Sequence, residues 1–301
     1  MSGDTGGRVI DLLVLGDCNP DLLLTVGDDA PRFGQGEAIV DAGRLQVGGS
    51  AAIAACAAAR LGGATAMVGA VGDDLFGRFM LDELAARGVD AGGCPVLPDV
   101  DTGLTVALVR GDDRAILTAP GAIAALTADM VPRDLVSSAR HVHVGSYHLV
   151  EGLRPGLPAL LAEARDAGAS VSVDPQGDVT GVGGDELRAL APLLDVLFLN
   201  EAEAAALGQV DCPLVVVKRG AAGAVARSAE GEVSARAPAV DVVDATGAGD
   251  AFDAGFIVGR LSGLAIREAL ALACACGALS TRALGGVAAQ PSMDEAKAAM
   301  A

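Results

Sequence analysis

The sequence predicts an α/β protein with a doubly wound, mostly parallel sheet and helices on both faces. Three observations predict it: short apolar runs that end at Gly or a polar residue, helix-like segments between these runs, and a length of 301 residues, which is enough for a large core. Short runs that are apolar on both faces are typical of buried parallel strands. Their alternation with helices is the order of a doubly wound fold.

Six apolar runs are the predicted strands, and each stops at Gly or a polar residue. In open α/β sheets ligands bind outside the carboxyl ends of the strands, so we expect these stops to line a binding site. The predicted strands are Val9–Leu15, Thr65–Val71, His141–Val144, Ser170–Val173, Val196–Leu199 and Leu214–Val217.

Five segments between the runs are predicted to be helices. Ser50 is a good N-cap residue for the first, while Gly88 and Gly168 are good C-terminal stops for two others. The predicted helices are Ala51–Leu61, Gly77–Arg87, Pro155–Ala167, Asp185–Leu194 and Ala251–Leu261.

Two stretches, about 22–47 and 95–119, break this alternation. The first contains several Gly, Asp and Pro residues, and the second has two β-like runs around Gly111-Asp112-Asp113, which is a hairpin signal. Together they predict a small β-structured lid over the strand ends. We see no linker or repeat, so we predict a single domain, residues 1–301, that carries this lid.

The composition excludes several classes of partner. The formal net charge is −18 and no basic patch is visible, which argues against a nucleic-acid partner. Every apolar run is too short to span a bilayer, and the N-terminus lacks a secretion signal. The six Cys form no Cys-x-x-Cys pair and are expected to be reduced. We therefore predict a cytoplasmic protein without a membrane partner.

The run Asp-Ala-Thr-Gly-Ala-Gly-Asp at 244–250 carries the strongest indication of chemistry. It follows a strand-like stretch at 239–243 and precedes a helix, so its backbone N–H groups are expected at a helix N-terminus, which favours negative charge. Such donors stabilise the charge on a transferring phosphoryl group. Asp250 would accept a proton from a hydroxyl. By composition alone, an ordinary glycine-rich turn explains the run equally well.

This run also resembles the second signature of the ribokinase (phosphofructokinase-B type) carbohydrate kinase family, Asp-Thr-x-Gly-Ala-Gly-Asp-x-Phe. The segment 48–62, which begins Gly-Gly-Ser-Ala-Ala and ends Ala-x-Arg-Leu-Gly, is similar to the first signature, and Val71–Gly77 is similar to another shared segment. The resemblance extends from Gly16 to about residue 285. It implies a ribokinase-like fold and an ATP-dependent kinase that phosphorylates a hydroxyl of a sugar or sugar-like molecule.

The resemblance implies roles at the matching positions. Asp250 would be the catalytic base. The anion hole would be formed by Gly247, Ala248 and Gly249. Glu203 would hold Mg²⁺ through water, and Asp244 would hold a monovalent cation, such as K⁺, as in some members. The implied ATP-binding residues are Asn200, Glu203, Lys218, Gly220, Gly223 and Thr246, and the implied substrate-binding residues are Asn19, Asp21, Gly48 and Gly49.

Some of these positions have simpler explanations or depart from the family pattern. Glu203 is also explained as a solvated carboxylate in the first turn of a helix, and Asp21 as a turn residue. Ala52 is interpreted as standing where many members have Asn, a direct sugar ligand. Cys274 stands where Asn or His often lines the adenine side. The first departure leaves the substrate open.

Three alternatives to a sugar kinase differ in how well the sequence supports them. A nucleoside kinase of the same family remains open and would need an aromatic side chain for stacking; Phe33, Phe76 and Tyr147 are the candidates. A sugar-binding protein without catalysis is less compatible with the presence of Asp250 and Glu203. A dehydrogenase is disfavoured because no Gly-x-Gly-x-x-Gly follows the first strand.

All three His and the only Tyr lie within residues 141–148. No Cys or carboxylate completes a metal ligand set there, so we favour pocket lining or structural hydrogen bonds over a metal site. Asp174–Asp178 ends a predicted strand and is expected near the pocket. A homodimer formed through the lid sheets is common in the family and is left open.

Overall fold

The computed structural model describes residues 10–26, 34, 36–110, 113–177 and 181–300. The strands are β1 Ile10–Leu15, β2 Pro20–Thr25, β3 Ala42–Val47, β4 Thr65–Val68, β5 Val71–Gly72, β6 Val96–Leu97, β7 Leu104–Arg110, β8 Asp113–Ala119, β9 Ala139–Val144, β10 Ser170–Val173, β11 Val196–Asn200, β12 Leu214–Lys218, β13 Ala224–Ser228 and β14 Gly231–Ala235. The helices are α1 Ser50–Arg60, α2 Leu75–Ala86, α3 Ala122–Ala125, α4 Arg133–Ser138, α5 Leu157–Asp166, α6 Gly181–Leu190, α7 Glu201–Leu207, α8 Ala248–Leu261, α9 Ile266–Ser280 and α10 Met293–Ala298.

An eight-stranded sheet forms the centre of the protein, in the order β14-β13-β12-β11-β10-β9-β1-β4. The six strands from β12 to β4 are parallel, and β13 and β14 continue the sheet antiparallel. The predicted α/β class with a mostly parallel sheet is confirmed.

Helices cover both faces of this sheet because the residues of the central strand alternate in direction. Leu12 and Val14 of β1 belong to a core cluster with α1, α8 and α9, whereas Leu13 and Leu15 belong to the cluster on the other face, with α4, α5 and α6. In the described part of the chain, no helix has the length and apolar character needed to cross a bilayer.

A second sheet, of four strands, has the order β3-β2-β7-β8. Its strands come from the two segments that were predicted to form a lid. Strand β2 pairs in parallel with β7, and the other two pairings are antiparallel. We call this four-stranded sheet the lid sheet. Residues 27–33 and 35 of the predicted lid, and residues 111–112 of its predicted turn, lie outside the described residues.

Two predicted strands differ from the structure, and one strand pair was not predicted. The predicted strand Thr65–Val71 divides into β4, which pairs with β1 in the main sheet, and β5, which pairs with β6. The stretch 239–243 is not a strand: Val242 and Val243 are 64% and 61% exposed. The antiparallel pair β13–β14 was not predicted.

Candidate active site

A cavity of about 1310 Å³ lies at the carboxyl ends of the central strands, between the main sheet and the lid sheet. This volume exceeds the roughly 300–1,000 Å³ typical of a site for one small molecule, so there is room for two ligands side by side. The predicted site residues on its wall are Asp21, Gly49, Asn200, Glu203, Lys218, Gly220, Gly223, Thr246, Gly247, Ala248, Gly249 and Asp250. Asn19, Gly48 and Asp244 are not on the wall.

The N-terminus of α8 points into this cavity. Gly247 precedes the helix with φ 76°, a left-handed conformation that favours glycine, and a Cβ atom there would lie 2.7 Å from the Cα of Gly286. The first backbone N–H groups of a helix have no partner within the helix. The Ala248 amide donates to Ala245 O at 3.2 Å, and the 14-residue helix directs the positive end of its dipole and the other amides of its first turn toward the cavity.

Asp250 follows in the first turn of α8 and is 5% exposed. Its Oδ1 accepts a hydrogen bond from the Gln176 side-chain amide. Burial raises the pKa of Asp250 to about 7, with Lys218 opposing this rise and Asp174 adding to it. A carboxylate with a pKa near 7 is a much stronger base than an ordinary aspartate and is still half ionised at neutral pH.

Lys218 is the buried cation of the cavity. Its Nζ donates to Asp174 Oδ2 and, at 3.2 Å, to Asp253 Oδ2. Burial alone would lower the pKa of Lys218, but Asp174 and Asp253 raise it above its ordinary value. The lysine is therefore charged at every physiological pH. It ties the ends of β10 and β12 to α8.

Asn200 and Glu203 form a capping box at the N-terminus of α7. The Asn200 side chain accepts from Glu203 N, and Glu203 Oε2 accepts from Asn200 N, both at 2.8 Å. Glu203 Oε1 also accepts from Gly177 N at 3.0 Å, and Glu203 is 5% exposed. This carboxylate is therefore a buried cap at the cavity wall rather than a solvated surface group.

Asp17 and Asp21 lie at the other end of the cavity. Asp17 is 3% exposed and accepts from Ser50 N at 3.0 Å, Ala51 N at 2.8 Å and Ser146 Oγ at 2.8 Å. It thus holds the N-terminus of α1 against the strand ends. Burial, with Asp17 nearby, raises the pKa of Asp21 to about 7.

Two predicted substrate-binding residues support the cavity wall from behind. The Asn19 Nδ2 atom donates to Thr105 Oγ1 at 3.1 Å, which joins the end of β1 to the lid sheet. Gly48 leaves room for Asp21, because a Cβ atom at Gly48 would lie 1.9 Å from Asp21 Oδ1. Neither lies on the cavity wall.

The interpretation of Ala52 needs a correction. Ala52 is fully buried in the core, whereas Ser50 and Ile53 are the residues of α1 that line the cavity. In the pattern Gly-Gly-x-x-x-Asn, counted from Gly48, the Asn position also falls on residue 53. An apolar Ile therefore lies where the family pattern has a polar sugar ligand. Cys274, by contrast, lines the cavity as expected.

Arg114 reaches from β8 of the lid sheet to the segment before α8. Its Nη1 donates to Thr246 Oγ1 at 2.5 Å and lies 3.7 Å from Asp244 Oδ1. The Asp244 carboxylate also accepts from Thr246 N at 2.9 Å and Gly285 N at 2.8 Å. These contacts connect the lid sheet, the start of α8 and the loop after α9.

The His residues of β9 form a buried hydrogen-bond chain. His141 Nδ1 and Nε2 lie 2.6 and 2.7 Å from the hydroxyls of Ser170 and Ser172, and His143 Nδ1 lies 2.8 Å from Ser172 Oγ. Burial lowers the pKa of His141 to about 3 and that of His143 to about 4, so both are neutral. Among the described residues no group of His, Cys, Asp and Glu is arranged to hold a metal ion.

Asp17 and Gln176 line the cavity where the stops of predicted strands were expected, although the sequence assigned neither a role. Arg114 and Asp253 were not predicted as contributors to the site. Nothing local in the sequence shows that β8 faces α8, so Arg114 could not be identified. Asp253 lies one turn after Asp250, and only the packing of α8 on β12 brings it to Lys218.

A helix N-terminus beside a buried carboxylate, in a cavity of this size on a doubly wound sheet, is the arrangement expected of a small-molecule phosphotransferase. The chain belongs to the pfkB family of carbohydrate kinases, whose model matches residues 9–293. It is therefore a kinase with a hydroxyl acceptor, and the resemblance inferred from its motifs is confirmed.

The chain is similar to several sugar kinases over nearly its whole length. It is 35% identical to an ATP-dependent ribose-1-phosphate kinase of Halopiger xanaduensis, covering 95% of this chain and 96% of that protein. It is 31% identical to a probable fructokinase-7 of Arabidopsis thaliana, and the match covers 98% of this chain and 95% of that protein. A putative ribokinase II from E. coli, in complex with ATP and Mg²⁺, has a TM-score of 0.83 at 25% identity and covers 96% of this chain and 98% of that one.

Proposed function

We propose that this protein transfers the γ-phosphoryl group of ATP to a hydroxyl of a sugar or sugar-like small molecule, with Asp250 as the general base. One observation carries the proposal: Asp250, buried and with a pKa near 7, lies in the first turn of α8 beside the amides of Gly247, Ala248 and Gly249. A base and an anion site side by side are what in-line transfer to a hydroxyl requires.

The proposed anion hole is the start of α8. The transferring phosphoryl group carries charge on its equatorial oxygens, and N–H donors fixed in advance stabilise this charge without reorganisation. Lys218 adds a positive charge directly beneath, since a Cβ atom on Gly249 would lie only 3.2 Å from its Nζ. Asp174 and Asp253 share this charge, so the helix N-terminus is the main source of positive potential for ATP in a chain of net charge −18.

We propose that the ATP phosphates lie between α8 and the ends of β11 and β12. Asn200, Glu203, Lys218, Gly220 and Gly223 line this part of the cavity, and Thr246 lines it from the other side. Gly220 and Gly223 have φ 53° and 88°, which lets the turn after β12 approach a ligand closely.

Mg²⁺ is proposed to be bound with the ATP phosphates. Mg²⁺ keeps several waters and uses one or two carboxylates plus substrate phosphates. Glu203 fits this arrangement: its two oxygens each accept one backbone amide and retain capacity for a water that binds the ion. The bound ion would neutralise phosphate charge.

A monovalent cation at Asp244 remains a prediction. Asp244 already accepts from Thr246 and Gly285 and lies near Arg114, so a cation would have to share a carboxylate that is largely neutralised. Turnover in K⁺ compared with tetramethylammonium tests it. Activation by K⁺ would support the cation, and equal rates would contradict it.

The acceptor is proposed to bind between Asp21 and the start of α8, beneath the lid sheet. A carboxylate can accept two hydroxyls, as a vicinal diol offers. The relatives named above act on ribose 1-phosphate and, by name, on fructose, so a sugar or a sugar phosphate is the first choice. Arg114, whose charge acts on Asp21, is a cation with N–H groups for donating to the oxygens of a substrate phosphate.

A nucleoside is the second candidate acceptor. It would need a stacking surface, and Phe252 is the aromatic side chain that lines the cavity among the described residues, whereas Tyr147 is buried. Phe33 lies outside the described residues. The apolar Ile53 favours an acceptor with fewer polar groups at that position than a free hexose has.

The test is ADP release from ATP and Mg²⁺ with ribose, fructose, ribose 1-phosphate, a sugar acid and adenosine as separate acceptors. Phosphorylation of one of the sugars or sugar derivatives supports the proposal, and turnover with adenosine alone supports the nucleoside kinase. Sugar binding in calorimetry without ADP formation from any acceptor would instead indicate a non-catalytic binding protein.

A further inference from the structure

The side-chain amide of Gln176 lies between two carboxylates. Its Nε2 donates to Asp250 Oδ1 and, at 3.3 Å, to Asp174 Oδ2. A primary amide has two N–H donors, one for each carboxylate. The backbone N of Gln176 also donates to Asp174 Oδ1 at 3.2 Å, so Asp174 holds both ends of the residue.

The backbone of Gln176 supports a specific role for this side chain. Among the described residues, Gln176 and Ser146 are the non-glycine residues with positive φ, both at 50°. They follow the neighbouring strands β10 and β9, and each donates from its side chain to a cavity carboxylate, Ser146 to Asp17 at 2.8 Å. Left-handed backbone at a residue other than glycine is costly, and it is concentrated at functional sites.

We propose that Gln176 is a positioning residue for phosphoryl transfer: its amide holds Oδ1 of Asp250 and thereby leaves Oδ2 for the acceptor hydroxyl. The inference rests on the proposed function of Asp250 as the base. The inference adds that Gln176 orients Asp250, and that a neutral amide at this position preserves the basicity of Asp250 better than a cation would.

The charged groups around Asp250 come from every element packed against it. Lys218 lies at the end of β12, Asp174 at the end of β10 and Asp17 at the end of β1, and Asp253 is on α8 itself. The hydrogen bonds of Lys218 go to Asp174 and Asp253, while Asp250 receives the Gln176 amide.

Because Lys218 bonds to Asp174 and Asp253 and the neutral Gln176 amide bonds to Asp250, Asp250 keeps the basicity needed for proton transfer. A cation in direct contact lowers a carboxylate pKa by about 1–3 units, which would leave Asp250 a weak base at neutral pH. A neutral amide fixes the carboxylate geometrically at a smaller cost in basicity. The contact still stabilises the ionised form, so it lowers the pKa of Asp250 to some extent.

The test is Gln176→Met, which keeps the length of the side chain and removes its donors. We expect kcat to fall about 10- to 100-fold with little change in KM for ATP, since a small misplacement of a reacting group costs this much.

Without the N–H donor the pKa of Asp250 rises, so the acid limb of the kcat profile should move to higher pH. Gln176→Glu places a second carboxylate there and should move the limb further. Gln209→Met, at an exposed position after α7, is the matched control.

The outcomes separate this inference from the proposed function. Wild type that forms no ADP with any acceptor would refute the proposed function. Active wild type with a Gln176→Met variant of unchanged kcat would overturn the inference alone, as would a fall in kcat with an unmoved acid limb, which indicates a purely structural effect. Gln176→Glu replaces Gln176→Met as the test if Gln176→Met lowers the melting temperature strongly. A ¹³C titration then compares the pKa of the Asp250 carboxyl in Gln176→Glu and in the wild type. An unchanged pKa overturns the inference, and a raised pKa together with a reduced kcat supports it.

Discussion

Four buried carboxylates lie around the proposed transfer site, and their partners differ. Asp174 and Asp253 share Lys218, Asp17 accepts backbone amides and a hydroxyl, and Asp250 accepts a neutral amide. Despite burial, Lys218 lowers the pKa of Asp174, so Asp174 is a weak base. Asp253 does not line the cavity, and three donors already occupy Asp17, which leaves Asp250 as the carboxylate available to an acceptor hydroxyl. The motif at 244–250 predicted this residue, but it could not show why Asp250 rather than Asp253 is poised for proton transfer.

Replacing Asp250 with Asn should abolish most turnover while ATP still binds. The amide has nearly the same shape but cannot accept the acceptor proton, and loss of a general base typically costs about 10²–10⁴-fold in rate. ADP release gives the turnover, and calorimetry with a non-hydrolysable ATP analogue gives the binding. Asp82→Asn, at an exposed position on α2, is the control. Near-normal turnover would contradict the mechanism.

Activity should rise with pH through about 7. Asp250 must be ionised to act as a base, and its pKa is raised to about 7, so below this pH the protonated fraction is inactive. The measurement is kcat under saturating ATP and acceptor across neutral pH. A profile that is flat down to pH 5 would mean that the base titrates like an ordinary aspartate.

The Lys218 side chain, at the end of β12, connects the end of β10 with helix α8 through Asp174 and Asp253. Lys218→Met would leave Asp174 and Asp253 buried without their cation, and breaking a buried pair in this way typically costs about 3–5 kcal/mol. Urea denaturation measures the free energy of unfolding. Lys297→Met, exposed on α10, should change it little. Equal stability of the two variants would contradict a structural role for Lys218.

The elements of the main sheet could be predicted where their burial is two-sided. The strands β11 and β12 are continuous apolar runs up to their last residue, and the polar stops of β9 to β12 predicted part of the cavity wall. The pair β13–β14 could not be predicted in this way: β13 reads Ala-Val-Ala-Arg-Ser and β14 is half exposed, so its pairing depends on the neighbouring β12 rather than on local pattern. The prediction of a strand at 239–243 was wrong because the stretch is largely apolar but no strand pairs with it.

At the scale of the whole molecule, the lid sheet has two different faces. Asp21, Thr105 and Arg114 face the cavity. The register places another set on the opposite face, and most of it is apolar: Leu22, Leu24, Leu45, Val106, Leu108, Ala115 and Leu117. Leu117 is 64% exposed. An exposed apolar face of this kind indicates an interaction surface.

We expect this face to pair with a second copy of the chain, which makes the protein a homodimer. Burying apolar surface drives such association, and a two-fold interface brings the same face of each copy together. Light scattering after size-exclusion chromatography should give twice the mass of 29.7 kDa. Leu117→Glu should shift it to the monomer, whereas Leu75→Glu, exposed on α2 at 69%, should not. A monomeric wild type would contradict the expectation.

The candidate site could be predicted from sequence where its residues belong to local motifs or follow predicted strands. The motifs identified Asp250 and the start of α8, but Ile53, Arg114 and Gln176 enter the site through long-range packing. Arg114 and Thr246 are 132 residues apart, and Gln176 and Asp250 are 74 apart. A single sequence contains no signal for such pairs.

The position of Tyr147 has a consequence for spectroscopy. The chain has no Trp and this single Tyr, so its ultraviolet fluorescence comes almost wholly from one side chain. That side chain is 3% exposed, follows Ser146 directly and has its backbone N bonded to Asp174 O at 3.4 Å. The unmodified protein therefore carries an optical probe at the strand ends that hold Asp17 and Asp174, and ligand binding can be followed there without a label.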